Sequence, residues 1–151
     1  IKHKYQNVEL VFIAHDTEAK EVNEKEFFTR GSSGGTLVST GLEKCQEAIN
    51  KRYHPELWNI YVFETCDGDN WAYDMDKAIA KAEEIASISQ MFCYVEVQSR
   101  NAVDLLLYQD VDSRLSINYR KITHKAFQMV EIYSSEQIWP AFKRIFGSED
   151  V

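Results

Sequence analysis

The chain has 151 residues, of which 44% are hydrophobic and 13% aromatic, a composition that provides the core of one globular domain and excludes a disordered chain. Its formal net charge of −7 argues against nucleic acid or an anionic membrane surface as the main partner. The three cysteines form no CxxC pair, so neither a disulfide framework nor a zinc ribbon is indicated. We therefore expect buried thiols and a reducing, cytoplasmic location.

The first thirty residues predict two strands and a short helix. Residues 8–14 form an apolar run typical of a buried strand, and residues 19–22 are expected to form an edge strand after a bend. Residues 24–30 are expected to form a helix that buries Phe27 and Phe28.

The middle of the chain predicts alternating helices and strands. Apolar residues at steps of three and four predict a helix over 38–53, and Pro55 prevents its continuation. The apolar runs 58–65 and 91–97 predict two strands that are covered on both faces. Between them, Asp74 is expected to cap a helix. The apolar stripe of that helix consists of Met75, Ala78, Ile79, Ala82, Ile85 and Ala86.

The last third of the chain predicts fewer regular elements. We expect a short helix over 103–108, an extended segment over 115–119 and a final strand over 127–133. Ser134 and Gln137 predict a capping box for the last helix. The expected core-facing side of that helix consists of Ile138, Trp139, Phe142, Ile145 and Phe146. The tryptophans are expected to be core or shielding residues, with partial exposure at Trp71.

The order of predicted elements is strand, helix, strand, helix, strand, connection, strand, helix. This order is typical of an α/β fold with a mostly parallel sheet flanked by helices. No repeat or linker divides the sequence, so residues 1–151 are expected to form a single domain. In open parallel sheets, ligands bind beyond the carboxyl ends of the strands.

Two polar segments lie at this expected edge of the sheet. Residues 32–36 (Ser-Ser-Gly-Gly-Thr) precede the long helix, and residues 67–70 (Asp-Gly-Asp-Asn) follow the strand over 58–65. Their hydroxyl, amide and carboxylate oxygens are ligands that Mg²⁺ prefers, so together they predict one shared cation site. Asp16 is expected on the same rim. Each segment alone is better explained as a helix cap or a turn.

Other kinds of site find little support. The segment from Asp67 lacks the glycine and the final glutamate of an EF-hand loop, and no Gly-Lys-Ser/Thr follows the glycines as a P-loop requires. Cys66 is a poor nucleophile candidate, since the charge of Asp67 raises a thiol pKa. His15 is expected to be structural. The alternative is a Mg²⁺-dependent hydrolase or phosphotransferase that uses Asp67 and Asp69, although no positively charged partner is evident near those loops.

Several sequence blocks resemble those of a known family. In chain order they are residues 8–15, Phe27-Phe28, residues 34–39, Arg52-Tyr53, residues 58–61 and residues 67–71. Over nearly the whole chain they resemble the YeaH/YhbH family of bacterial stress-response and sporulation proteins. That family is similar to the von Willebrand factor A superfamily, which implies a von Willebrand factor A-like (Rossmann-like) domain.

Domains of that superfamily carry a metal-ion-dependent adhesion site built from three loops. The resemblance implies Thr36 as the threonine of the second loop and Asp67 as the aspartate of the third, with Asp69 as an additional carboxylate. The Asp-x-Ser-x-Ser motif of the first loop does not occur in this chain. We therefore expect a C-terminal fragment that lacks the first central strand and helix, with the gap covered by another segment or by oligomerisation. Binding of Mg²⁺ or Mn²⁺ is then expected to be weak.

The resemblance also implies a function. It is that of a non-enzymatic, cytoplasmic regulatory module that binds a protein partner through the adhesion site. The implied associates are an AAA-type serine protein kinase and a SpoVR-like protein. Neither nucleic acid nor a membrane is expected as a partner.

Overall fold

A computed structural model describes residues 7–29, 35–98 and 114–146. The chain begins with an antiparallel hairpin of β1 (Phe12–His15) and β2 (Ala19–Val22). Helix α1 (Glu24–Thr29) follows, and the hairpin packs mainly on α2 (Val38–Arg52). The sequence prediction is confirmed for β2, and for α2 it differs by one residue.

The prediction that the first strand joins the parallel sheet is wrong. It begins four residues later than expected, at Phe12, and among the described residues it pairs only with β2. The bend between the two strands closes the hairpin, because the Asp16 carboxylate accepts a hydrogen bond from the Glu18 amide at 3.0 Å. An apolar run predicts a strand, but it does not determine the strand's partner.

The expected burial of the two phenylalanines of α1 is also wrong. Phe28 is 72% exposed, and Phe27 is exposed as well. Both rings contact Phe12 of the hairpin, with centroid distances of 5.2 Å for Phe27 and 6.0 Å for Phe28. The short helix therefore contributes to an aromatic cluster at the surface instead of to the core.

The centre of the fold is a three-stranded parallel sheet. Its strands are β3 (Tyr61–Cys66), β4 (Met91–Val97) and β5 (Phe127–Ile132), in that order, so β3 is an edge strand among the described residues. Helix α3 (Met75–Ile88) connects β3 to β4 and buries most of its predicted stripe. The coarse prediction of a mixed α/β fold with a parallel sheet is confirmed.

The core lies between one face of this sheet and the helices. Phe92 and Tyr94 of β4 pack there against Ile85 of α3. Helix α4 (Leu115–Tyr119) adds two fully buried side chains, those of Leu115 and Tyr119. The prediction of an extended segment here is wrong, since Leu115 and Tyr119 are four residues apart and share one face of a helix. The helix predicted over 103–108 lies outside the described residues.

The last helix, α5 (Ile138–Phe146), follows a 3₁₀ turn at Ser135–Gln137. The predicted capping box is not formed: Ser134 makes no side-chain cap, and the Gln137 side chain accepts a hydrogen bond of 2.7 Å from the amide of Tyr133, one residue before Ser134. Because side chains alternate along a strand, Phe63 lies on the sheet face opposite Phe92 and Tyr94. Phe63 contacts Phe146 but is 44% exposed, so α5 covers that second face only in part, and the prediction that this strand is covered on both faces is wrong for β3.

The apolar side of α5 is mostly exposed, which contradicts the prediction that it faces the core. Trp139 is 62% exposed, and Ile138 and Phe142 are also exposed. The reason is that α5 is held at its C-terminal end, by Phe146 and by the Arg144 guanidinium, which donates to the Met129 carbonyl at 2.8 Å. Within the described residues, no helix is both long and apolar enough to cross a membrane.

Candidate functional site

The chain around the two predicted polar segments comes together at the start of α2, although residues 32–34 of the first segment lie outside the described residues. The Val38 amide at the start of α2 donates a hydrogen bond of 3.1 Å to the Asn70 side-chain oxygen. Asn70 is almost fully buried, and its bond joins segments 32 residues apart in sequence. The edge at which α2 begins and β3 ends is therefore one continuous surface.

Two further hydrogen bonds join the start of α2 to the segment that follows β3. The Asp74 carboxylate accepts hydrogen bonds from the Ser39 amide at 3.0 Å and from the Ser39 hydroxyl. The sequence prediction that Asp74 caps its own helix α3 is wrong, since its side chain makes no bond to that helix. Instead, Asn70 and Asp74 together cap α2 from outside, because the first amides of a helix have no partner within it.

We expect Asp74→Ala to lower the free energy of unfolding by about 1–2 kcal/mol, the usual cost of removing a side chain that caps a helix. Urea unfolding monitored by circular dichroism measures this difference. The matched control is Asp76→Ala, which removes an exposed aspartate two residues further along. Equal effects of the two substitutions would contradict the capping role.

The three predicted metal ligands differ in their surroundings. Thr36 is half-buried next to the start of α2, and Asp67 is exposed after β3. Asp69 is partly buried, and its amide donates to the Asp67 carboxylate at 3.3 Å. Burial, and then the charge of Asp67, raise the pKa of Asp69, while nearby Arg114 opposes them. Among the described residues, no group of three or more histidine, cysteine, aspartate or glutamate side chains comes together.

The expectation that no positively charged side chain lies near these loops is wrong. The backbones of Asp69 and Arg114 form an isolated antiparallel bridge, and the Arg114 guanidinium donates to the buried Glu96 carboxylate at 2.8 Å. No feature of the sequence pattern indicated this arrangement, because Arg114 is 45 residues away from Asp69 along the chain.

Glu96 is the anchor beneath the Asp67 loop. The loop turns at Gly68, whose φ of +97° is unfavourable for other residues, and a Cβ there would lie 2.5 Å from the Glu96 carboxyl carbon. The Gly68 carbonyl accepts a hydrogen bond of 2.9 Å from the Leu115 amide. The loop is therefore held in place by contacts with both β4 and α4.

The Glu96 carboxylate is fully buried and fully bonded. It accepts hydrogen bonds from Tyr94 (2.7 Å), from Gln98, and from both the amide and the hydroxyl of Ser116 (3.2 Å each), in addition to Arg114. Burial raises the pKa of Glu96, but these donors together outweigh burial and hold it below the ordinary value. Sequence reasoning missed Glu96. The available signal was a single glutamate in an otherwise apolar strand.

Glu64 is a buried carboxyl on the same sheet face, but its pKa is shifted in the opposite direction from that of Glu96. It is 8% exposed, and the Tyr119 hydroxyl lies 3.2 Å from each of its oxygens. Burial raises its pKa to about 8, and the Tyr119 bond only partly opposes this change. Glu64 therefore lies neutral in the core at moderate pH.

The cysteines were expected to be buried, and Cys93 is buried while Cys45 and Cys66 are half-buried. Burial raises the pKa of Cys66 to about 12, with Glu64 as the second cause and Asp67 as the smallest. Burial also raises the pKa values of Cys45 and Cys93 to about 11 each. His15 packs against Gly41 of α2, and burial lowers its pKa, so it is neutral.

Comparison with known proteins gives a family without an established activity. A family model described as "Protein of unknown function (DUF444)" matches residues 1–149. A UPF0229 protein of Ruminiclostridium cellulolyticum is 42% identical over 146 residues, which cover 96% of this chain and 35% of that protein. UPF0229 proteins of Clostridium perfringens and Legionella pneumophila are 39% and 40% identical, covering 99% and 97% of this chain and 36% and 33% of those proteins.

The chain thus spans about a third of the length of these relatives. No solved structure is significantly similar to it. Because the family model covers all of the described elements, the fold and the loop that packs on Glu96 belong to the matched region. The chain belongs to the DUF444 (UPF0229) family.

Proposed function

We propose that this chain is a non-enzymatic, protein-binding regulatory module with a von Willebrand factor A-like domain, acting in the cytoplasm during a bacterial stress response or sporulation. The observation that carries the proposal is the hydrogen bond from the Val38 amide to Asn70. It joins the segment that contains Thr36 to the loop that contains Asp67. These are the two segments for which the family resemblance implies metal ligands.

The donor atoms of these residues suit a hard divalent cation. The Thr36 hydroxyl and the exposed Asp67 carboxylate offer the oxygen ligands that Mg²⁺ and Mn²⁺ prefer. Asp69 is the weaker candidate, because it is partly buried and lies beside Arg114. The described residues provide only part of a coordination sphere. Water and an acidic side chain of the partner would complete it, so the cation would link the two proteins.

The proposed partners follow from the family resemblance. They are an AAA-type serine protein kinase and a SpoVR-like protein, and each would present an acidic side chain at the carboxyl edge of the sheet. The part of the partner that binds here is expected to be a protein surface and not a nucleic acid, since the chain carries a net charge of −7.

Titration with Mn²⁺ in a calorimeter tests the cation site. We expect weak binding by the native chain, and a loss of affinity of at least about tenfold for Asp67→Asn and for Thr36→Val, which removes the hydroxyl but keeps the shape. The control is Glu83→Gln, which removes an exposed carboxylate on α3 and makes the same change in charge as Asp67→Asn.

Two results would contradict the proposal. One is Mn²⁺ affinity that neither Asp67→Asn nor Thr36→Val weakens. The other is the absence of any Mn²⁺ binding by the native chain. Capture of the purified kinase in Mn²⁺, reversed by EDTA and lost in Asp67→Asn, is the result that supports the regulatory role.

A Mg²⁺-dependent hydrolase or phosphotransferase that uses Asp67 and Asp69 is the second proposal. Its support is Arg114 beside Asp69, since phosphoryl transfer uses a cation of this kind. It ranks lower because the guanidinium is already paired with Glu96 at 2.8 Å. Mg²⁺-dependent hydrolysis of p-nitrophenyl phosphate that is lost in Asp67→Asn would favour this second proposal over the first.

A further inference from the structure

Trp71 and Tyr73 form an exposed aromatic pair directly after the Asp67 loop. Trp71 is 46% exposed and Tyr73 is 70% exposed. Their ring centroids lie 5.2 Å apart at an interplanar angle of 89°, so the edge of one ring meets the face of the other. Large aromatic side chains at the edge of a folded domain are typical anchors of protein interfaces.

The pair is held in place by its neighbours in the chain. Trp71 follows Asn70, which is bonded to α2, and its carbonyl accepts a hydrogen bond of 2.9 Å from the Asp74 amide. The indole lies against Gly35, where a Cβ would come within 2.5 Å of the indole nitrogen. Because the ring is already fixed, binding a partner costs little conformational entropy at Trp71.

The charged groups of the same segment are acidic. Asp67 and Asp76 are exposed on either side of the aromatic pair in sequence. The nearest lysine in sequence, Lys77, is bound to Glu43 at 2.9 Å. The segment therefore presents aromatic rings together with carboxylates.

Two other aromatic rings of the chain have a positively charged side chain over them. Arg52 lies 5.3 Å from the ring centroid of Tyr53, and Lys143 lies 5.5 Å from that of Trp139. Within the described part of the chain, no such side chain lies over the ring of Trp71 or Tyr73. Trp71 and Trp139 are thus two exposed tryptophans that differ in this respect.

We infer that Trp71 and Tyr73 bind an arginine side chain of the protein partner. A guanidinium plane stacks on aromatic rings and pairs with carboxylates, so arginine matches both features of this surface. The inference rests on the proposed function only in taking the ligand to be a protein. It requires no cation at Asp67.

The probe is the blocked peptide acetyl-Gly-Arg-Gly-amide, titrated into the chain in buffer with EDTA and followed by the backbone amide NMR signals of residues 67–73. The matched peptide carries citrulline, which has the shape of arginine without its charge. We expect saturable shifts with the arginine peptide, and binding weaker by about threefold to fivefold with the citrulline peptide.

Variants locate the binding surface. Trp71→Leu and Tyr73→Leu are each expected to weaken binding of the arginine peptide by about threefold to fivefold. Trp139→Leu is the control, because that tryptophan is exposed but already lies under Lys143. If Trp71→Leu unfolds the chain, Tyr73→Leu still decides the outcome, since its ring is mostly exposed.

Three results would overturn the inference: equal affinity for the two peptides, undiminished binding by the Tyr73→Leu variant, or no shift with the arginine peptide. These results are separate from those that test the cation site, because EDTA removes divalent ions throughout. Arginine binding without Mn²⁺ binding would leave this inference standing and remove the cation from the proposed function.

Discussion

Glu64→Gln is expected to raise the free energy of unfolding at pH 8 by about 2–3 kcal/mol. The carboxyl is buried on β3 with Tyr119 as its hydrogen-bond partner, and burial raises its pKa to about 8. Ionising it inside the core is costly, whereas the glutamine keeps the shape and still accepts the Tyr119 bond. Replacing the ionisable carboxyl with a neutral amide of the same shape therefore stabilises the folded chain.

The direction of the pH dependence follows from the two pKa values of Glu64. Below its ordinary value of 4.5, the carboxyl is protonated in both the folded and the unfolded chain. Between pH 4.5 and pH 8 it ionises only in the unfolded chain, so the stability of the native protein falls as the pH rises. Above pH 8 both states are ionised and the difference stays constant. The loss between pH 5 and pH 8 is roughly 3 kcal/mol.

Urea unfolding of the native chain and of Glu64→Gln across pH 5–9 measures this effect. Subtracting one curve from the other removes the contributions of all groups that the two proteins share. The two proteins are expected to agree within about 1 kcal/mol at pH 5 and to diverge towards pH 8. A constant difference across this range would show that Glu64 ionises normally in the folded chain.

Glu96→Ala is expected to lower the free energy of unfolding by about 3–5 kcal/mol, because it leaves the Arg114 guanidinium without its partner in a partly buried place. Tyr94 and Ser116 lose an acceptor at the same time. The substitution also removes the carboxylate against which Gly68 packs, so faster amide exchange is expected at residues 67–69.

Glu131→Ala is the matched control for this prediction. Glu131 lies directly opposite Glu96 in the parallel sheet, but it is 23% exposed, and its partners are the Tyr133 hydroxyl and Arg120, which is 65% exposed. Surface ion pairs contribute little, so a change within about 1 kcal/mol is expected. A similar loss of unfolding free energy in both variants would contradict a special role for Glu96, because any glutamate at this end of the sheet would then contribute as much.

The elements that the sequence predicted best are those with long, strong patterns. Helices α2 and α3 each carry a stripe over about four turns, and β4 is an apolar run that only Glu96 interrupts. The failures are short elements. Leu115–Tyr119 was too brief to show a period, and the sheet membership of β1 depends on a pairing that no local pattern encodes.

The candidate site, too, has features that local patterns predict and features that only the tertiary fold creates. The position of the Asp67 loop at the end of β3 follows from the strand pattern, and its proximity to the start of α2 follows from the general geometry of parallel sheets. The bonds that fix this edge were not predictable in the same way. Ser39 and Asp74 are 35 residues apart, and Ser116 is 20 residues from Glu96, so only the tertiary fold brings them together.

The hairpin of β1 and β2 has a consequence for local unfolding. A two-stranded hairpin is marginally stable alone, and this one depends on its packing against α2 instead of on the parallel sheet. Its amides are therefore expected to exchange with solvent through local openings, while those of β4, between two neighbours, exchange only when the whole domain unfolds. The domain would then consist of two cooperative units, with α2 as the boundary between them.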